Sequence, residues 1–351
     1  MREQTLQNPL YRYKKLIFIF IIIFLTVLVV ISNSKNIELS ILEIGSMPFY
    51  SIVILFALLV IHLISDACIL KIAIDDPSCQ FKQALTINMA GCFFANITPL
   101  YIGSYPSRLY YLYKENIPMN KTLSALTVRG ITYQIALNVF AFIALFATGL
   151  IIGPGSTYFP FVVIGFIWNL TITVLLLLIS LSYRFNRFAI KFIHKIALWI
   201  PFLKKREDGV TEAIDQYYVY TRRIYHDKKY FFSIFFLSVV KLLSIDLMPL
   251  VVFYGLGIPI QEYWIIIIGI ASLMAIIASV IPTPGGIAAS EAAFIILYGL
   301  IFAQESTVQA GMLVWRLFSF YSVIIIGLIF TLILQAKQPK WNLIPKKEGS
   351  K

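Results

Sequence analysis

Apolar runs long enough to cross a bilayer recur along the chain. A spanning helix needs about 20 mostly apolar residues. The pattern predicts full spans over Leu16–Ile31, Phe49–Leu70, Leu123–Ile152, Phe159–Tyr183, Phe231–Tyr254 and Val308–Leu334. The first run is short and extends outward through Ser34. It follows a basic N-terminus and lacks a small-residue cleavage site, so it reads as a retained span and not a signal peptide. Two further stretches are apolar but interrupted. Ala84–Tyr113 carries Asn88, Gly91, Asn96, Pro99, Gly103 and Pro106; Tyr263–Ala303 carries Pro282, Pro284, Gly285 and Gly286. Such breaks at membrane depth are tolerated only where protein or a water-filled cavity satisfies the freed backbone. They predict broken or re-entrant helical hairpins. The expected fold is all-α: a polytopic helical membrane bundle of about six full spans plus two such hairpins.

Composition sharpens this. Of 351 residues, 59% are apolar and 13% charged, against about 45–50% and 25% in soluble domains. That excludes a soluble enzyme, a disordered chain and a disulfide scaffold. The longest polar stretch, Arg184–Tyr230, is too short and too poor in core residues for a sizeable catalytic domain. The net charge of +12 flanks the spans and sets topology, so no nucleic-acid partner is expected. Cys68, Cys79 and Cys92 fit no metal spacing, and His62, His194 and His226 form no ligand set. No metal or other cofactor is expected, and no GxSxG, HExxH or P-loop motif appears.

Lys and Arg also give sidedness. One side collects 24 of them; the other has Lys35 alone. This balance holds only if Ala84–Tyr113 enters and leaves on the cytoplasmic side and Tyr263–Ala303 begins and ends outside. Both termini are then cytoplasmic in the cell membrane. The arms of the second stretch could cross fully or stop midway. Residues 49–152 and 231–334 form two units of opposite orientation, joined by the span 159–183 and a cytoplasmic segment 184–230. That is the pattern of an inverted repeat within a single integral membrane domain, 1–351. The hairpins share a spacing, Pro99-x3-Gly103-x4-Arg108 and Pro282-x3-Gly286-x4-Glu291. Within the connecting segment, Asn186–Ile200 separates rings from cations and reads as an interfacial helix. The tail Lys337–Lys351 reads as a basic interfacial anchor.

Four cations remain at membrane depth: Arg108, Arg129, Lys241 and Arg316. Asp246 and Glu291 are their acidic counterparts. A lone intramembrane charge costs several kcal/mol, so each should face a cavity or a partner, or snorkel to the surface. Lys241 and Asp246 lie about 140° apart around a helix and should not pair directly. If the hairpin tips meet near the midplane, two helix N-termini converge and favour an anion. The candidate substrate-binding residues are therefore Arg108, Arg129, Lys241, Asp246, Glu291 and Arg316. Pro99, Gly103, Pro282, Pro284, Gly285 and Gly286 shape the hairpin backbones. Glu291 reads either as a carboxylate stabilising its own helix start or as a site or gate residue. Gly130, Gln134 and Asn138 form a polar stripe that suits helix packing or a hydrophilic track, and Tyr101, Tyr105, Tyr110, Tyr111 and Tyr113 read as an interfacial belt.

Four blocks carry a resemblance: Asn96–Tyr113 (NITPLYIGSYPSRLYYLY), Thr127–Asn138 (TVRGITYQIALN), Val280–Ala293 (VIPTPGGIAASEAA) and Gly311–Gly327 (GMLVWRLFSFYSVIIIG). Together they resemble the transmembrane region of the lysylphosphatidylglycerol synthase and flippase family, over about residues 10–335. The resemblance points to Pro99, Gly103, Arg108, Arg129, Pro284, Gly285, Gly286, Glu291 and Arg316. Two residues depart from the family pattern. Ser290 stands where Arg is frequent, and Ala288 where Gly is frequent; Glu291 is then left to pair with Arg316 or Arg108. Members move lipids between leaflets, and some add a cytosolic aminoacyl-transfer domain. The chain runs 17 residues past Leu334, so no such domain is expected in it.

The resulting expectation is a non-enzymatic lipid translocator, of flippase or scramblase type. Its substrate would be an anionic phospholipid, an aminoacylated lipid or a lipid-linked head group. A membrane-embedded lipid-modifying transferase, or its non-catalytic partner, is the alternative from the enzyme class; a small-anion transporter is a third. Membrane lipids are the expected partners, and a homodimer or a lipid-synthesising enzyme is compatible with the pattern.

Overall fold

Helix boundaries follow local signals in the computed structural model, which describes residues 37–149, 153, 155–185, 221, 222 and 225–337. The expected span Leu16–Ile31, the amphipathic stretch Asn186–Ile200 and the tail beyond residue 337 lie outside these. A short helix α1 (Ile37–Gly45) leads to Pro48, whose extended backbone starts α2 (Phe49–Ile74). Asp75, at φ 46°, ends α2 in the left-handed region. A capping box opens α3 (Phe81–Asn96): the Gln80 backbone N–H donates to Gln83 Oε1 at 2.7 Å. Next come α4 (Ser104–Lys114), α5 (Met119–Ala147) behind Pro118, and α6 (Phe159–Leu181). The second half holds α7 (Lys228–Asp246), capped by the Asp227 carboxylate, and α8 (Met248–Gly255). It continues with α9 (Trp264–Val280), α10 (Ala289–Gly299), α11 (Glu305–Arg316), a π-helical turn (Leu317–Tyr321) and α12 (Ser322–Lys337). The described residues are all-helical, as expected, with five stretches long and apolar enough to cross a membrane.

Three expected spans differ in detail. The span over Leu123–Ile152 starts earlier, at Met119, because Pro118 presets the first turn; it ends at Ala147, where Thr148 bonds back to Ala144. The span over Phe231–Tyr254 is broken between Asp246 and Met248, since Pro249 removes a helical N–H. The span over Val308–Leu334 extends to 305–336 and carries the π turn directly after Arg316. There Ser322 Oγ donates to the Leu317 carbonyl five residues back, at 2.7 Å.

Contacts at the helix ends orient the two halves. At one end Lys121 Nζ lies 2.8 Å from Asp76 Oδ2, Gln83 Nε2 donates to Glu115, and Tyr230 Oη donates to Asp75. The end of α2, both ends of the α3–α4 hairpin and the starts of α5 and α7 are thereby gathered together. At the other end Tyr50 meets Tyr254, Tyr263 meets Phe302, and Ser306 Oγ donates to Glu43. That collects the start of α2, the end of α8, both ends of the α9–α10 hairpin and the start of α11. The two hairpins therefore enter from opposite ends. Packing is reciprocal as well: α2 packs on α7, α9 on α5, and α3 on α12. Close approach at the last pair depends on Gly327, where a Cβ would sit 2.7 Å from the Met89 carbonyl oxygen.

Between apolar helices, small residues and hydrogen bonds replace the hydrophobic drive. On α6 the buried positions are Val162, Gly165, Asn169, Thr173 and Ser180. Asn169 Nδ2 reaches Ser279 Oγ on α9 at 2.7 Å, and Thr173 Oγ1 accepts from Asn138 Nδ2 on α5 at 2.9 Å. Asn138 thus serves helix packing. Large apolar side chains such as Phe49, Phe56, Phe146 and Phe161 point outward, as lipid-facing surfaces require.

Candidate functional site

The hairpin tips meet. An antiparallel bridge pairs Pro99 with Pro284. Each proline is followed by two left-handed residues, Leu100 and Tyr101 (φ 52° and 56°) in one tip, Gly285 and Gly286 (φ 58° and 67°) in the other. At Gly285 a side chain would also strike Phe320 and the Asn96 carbonyl oxygen. The equivalent segments are thus Thr98-Pro99-Leu100-Tyr101-Ile102 and Thr283-Pro284-Gly285-Gly286-Ile287. This corrects the expected spacing, which aligned Pro99 with Pro282. Backbone conformation shifts the match by two residues, so Arg108 corresponds to Ala293 and not to Glu291. Gly103 lies beside Thr98, whose Oγ1 accepts its N–H at 2.8 Å. The second arm begins as a helix at Ala289, after Ala288 at φ 66°.

Three of the four expected cations converge on one carboxylate that sequence reasoning missed. Asp66, on α2, is 1% exposed. Arg129, from α5, forks onto it: Nη2 donates to Oδ1 at 2.6 Å and Oδ2 at 2.7 Å, and Nε to Oδ1 at 3.1 Å. Lys241 Nζ, from α7, donates to Oδ1 at 2.7 Å and lies over the Tyr133 ring. Arg108 Nη2, from α4, lies 3.4 Å from Oδ2. Arg108 is further held by Asn88 Oδ1, which accepts from Nε at 3.1 Å and Nη2 at 2.9 Å, and by the Ser104 hydroxyl. Its side chain lies along Gly91, where a Cβ would meet Nε at 2.5 Å. Cys92 Sγ is 3.8 Å from Asp66 Oδ2. None of the three cations snorkels. The signal for Asp66 was a carboxylate inside an expected span, which marks a functional candidate by itself.

Arg316 stands in a separate cluster. Its Nε is 2.7 Å from Glu291 Oε1; Nη2 donates to Ser290 Oγ at 2.6 Å and to the Gly286 carbonyl at 3.3 Å. Trp315 and Phe320 flank the guanidinium at 5.1 and 4.9 Å. Of the two partners open to Glu291, the structure selects Arg316, and Ser290 accepts from the same guanidinium. Glu291 Oε2, Thr283 Oγ1 and Ser319 Oγ are buried with no hydrogen-bond partner among the described residues.

Asp246, expected to orient the cations, does not touch them. Its Oδ2 accepts from Ser272 Oγ at 2.5 Å, and no described cation lies within ion-pair distance of it. As expected, it does not pair with Lys241. Pro282 lies just before the second tip, outside the bridge.

A family model described as the lysylphosphatidylglycerol synthase TM region matches residues 19–327. Among relatives, the uncharacterized protein MG306 homolog of Mycoplasma pneumoniae (strain ATCC 29342 / M129 / Subtype 1) is 22% identical over 286 residues. That match covers 71% of this chain and 69% of the relative. No solved structure matches the chain.

Proposed function

The chain belongs to the lysylphosphatidylglycerol synthase TM-region family, and from that premise we propose that it carries an anionic lipid between leaflets without modifying it. Its membership makes it a lipid-related, multi-pass membrane protein. The finer reading rests on one observation: Arg108, Arg129 and Lys241, brought together from both halves of the chain, share a single buried carboxylate. An anion held there would be reached by fixed cations and by the positive start of α4, whose Ser104 hydroxyl accepts from Arg108. The acyl tail would stay in the bilayer while the head group passes the tips.

Geometry supports treating the two halves as an inverted repeat with re-entrant hairpins. The hairpin arms have 16, 11, 17 and 11 residues, or about 24, 17, 26 and 17 Å at 1.5 Å per residue. Each is shorter than a hydrocarbon core of about 30 Å, in keeping with tips that meet inside it. We place both termini and the Lys121–Asp76 end on the cytoplasmic side of the cell membrane, following the Lys and Arg balance.

The test is reconstitution in liposomes carrying fluorescent anionic phospholipid, followed by dithionite quenching. Protein-dependent loss of the protected half is expected, and Lys241→Gln slows it in protein that still elutes as a folded species. An intact protected half for every anionic lipid tried, with efflux of a small anion from the same vesicles, would favour the small-anion reading instead.

A further inference from the structure

We propose that the Asp66 cluster takes a phosphate monoester, the dianionic end of a lipid phosphate, in preference to the singly charged phosphodiester of common phospholipids. This rests on the translocation reading above and narrows its substrate. The first support is charge balance. Among the described residues, Asp66 is the one carboxylate within 4 Å of Arg108, Arg129 and Lys241. Three cations on one anion leave two positive charges at depth, where each uncompensated charge is costly. A phosphodiester cancels one of them. A phosphate monoester carries close to two negative charges near neutral pH and cancels both.

The second support is the kind of hydrogen-bonding capacity left over. Both Asp66 oxygens are occupied, Oδ1 by Arg129 and Lys241, Oδ2 by Arg129 and Arg108. Asn88 Oδ1 is occupied by Arg108. What remains donates. Asn88 is 0% exposed, and its Nδ2 has no partner among the described residues. The Lys241 ammonium has three donors and gives one to Asp66. Arg129 engages Asp66 through Nε and Nη2, leaving Nη1. Spare donors from three side chains suit a ligand made only of acceptors. The terminal oxygens of a monoester are that ligand, and a diester offers one fewer charged oxygen.

The third support is access. The side chains of Asp66 and Arg108 are 1% and 2% exposed, whereas Arg129 and Lys241 keep 10% and 13%. The spare donors of Arg129 and Lys241 are therefore the accessible ones, while the Asn88 amide and the anchoring carboxylate are sealed.

The experiment is competition for acyl-labelled phosphatidic acid bound to the full-length protein in neutral detergent. Competitors are unlabelled phosphatidic acid, phosphatidylglycerol of matched chains, and inorganic phosphate. Phosphatidic acid should compete at least about tenfold better than phosphatidylglycerol, with phosphate competing weakly. Lys241→Gln removes one of the two surplus charges and should bring the two lipids to within about twofold; if that variant is not monodisperse, the wild-type order alone decides. Equal competition by both lipids overturns the monoester inference and leaves anionic-lipid translocation standing. Displacement by phosphate with equal strength to phosphatidic acid identifies a free-phosphate site and overturns the lipid assignment. Failure of all three to bind overturns both.

Discussion

Replacing Asp66 with Asn keeps the side-chain shape and removes the one charge that three cations share. Arg129 and Lys241 both lie within 2.7 Å of the same oxygen, and Arg108 lies 3.4 Å from the other. Breaking a buried pair leaves an unmatched charge and costs about 3–5 kcal/mol. Here the partners are at most 13% exposed, so salt screens them little, and the three cations then repel one another. The expected loss lies in that range, with the amide still accepting hydrogen bonds and water entry pulling it toward the lower bound. At a few degrees per kcal/mol, the thermal midpoint of the detergent-solubilised protein should fall by roughly 6–10 °C. A double-mutant cycle with Lys241→Met isolates the charge term. Removing a cation alongside the anion should restore at least about 1 kcal/mol relative to the sum of the single losses. A midpoint within about 2 °C of wild type for Asp66→Asn, or strict additivity in the cycle, would refute Asp66 as the counter-ion of the cluster.

Other perturbations follow from single contacts. Ala288→Gly relaxes a non-glycine residue at φ 66°, ψ −41°; strain of about 1–3 kcal/mol less about 0.4–1 for chain entropy predicts a net gain near 1 kcal/mol, and a lowered thermal midpoint would count against it. Gly91→Ala places a methyl 2.5 Å from Arg108 Nε; phosphatidic acid binding should weaken about tenfold while far-ultraviolet circular dichroism is unchanged, because Ala suits the α3 interior better than Gly. Outside the spans, hydrogen bonds from Lys121 first and Ser78 second hold the Asp76 carboxyl well below the usual carboxylate range. A depressed folded-state value means that this stabilisation is present above the unfolded value of about 3.9 and is lost as the pH falls through the folded one. Asp76→Asn should therefore cost about 0.2–1 kcal/mol at pH 6, with the gap to wild type closing below about pH 4 in a pH series of thermal melts.

Much of the architecture was legible because membrane solvent imposes coarse rules. Spans of apolar residues, Pro and Gly breaks, and the Lys and Arg balance located the helices and both hairpins. Helix ends were less legible: Pro118 and Pro249 act on one or two residues, too local for a hydropathy run to register. Arg108, Arg129 and Lys241 were visible as charges at depth, but their meeting place was not. Asp66 lies on a helix distant in sequence from all three, and only packing of α2 against α7 and α5 brings them together. The spacing match between hairpins failed for a related reason. Pro282 and Pro284 are both plausible partners for Pro99 in sequence, and the left-handed pair after Pro284 decides between them.

The two tips stand in a local backbone relation: Pro99 pairs with Pro284, and each is followed by two left-handed residues. Charge does not follow that relation. Arg108 matches Ala293, and Glu291 matches Pro106; the Asp66 cluster draws Arg108 and Arg129 from residues 49–152 and Lys241 from residues 231–334, whereas the Arg316–Glu291 pair lies wholly within the second stretch. The tips differ likewise in their threonines. Thr98 Oγ1 donates to the Phe94 carbonyl and accepts from Gly103, whereas Thr283 Oγ1 is buried without a partner among the described residues. The Thr283 backbone is itself bonded, its N–H to the Ile281 carbonyl and its carbonyl to the Gly286 N–H, so the difference between the tips lies in the hydroxyl alone. The Pro99–Pro284 bridge brings these two differently satisfied tips into direct contact.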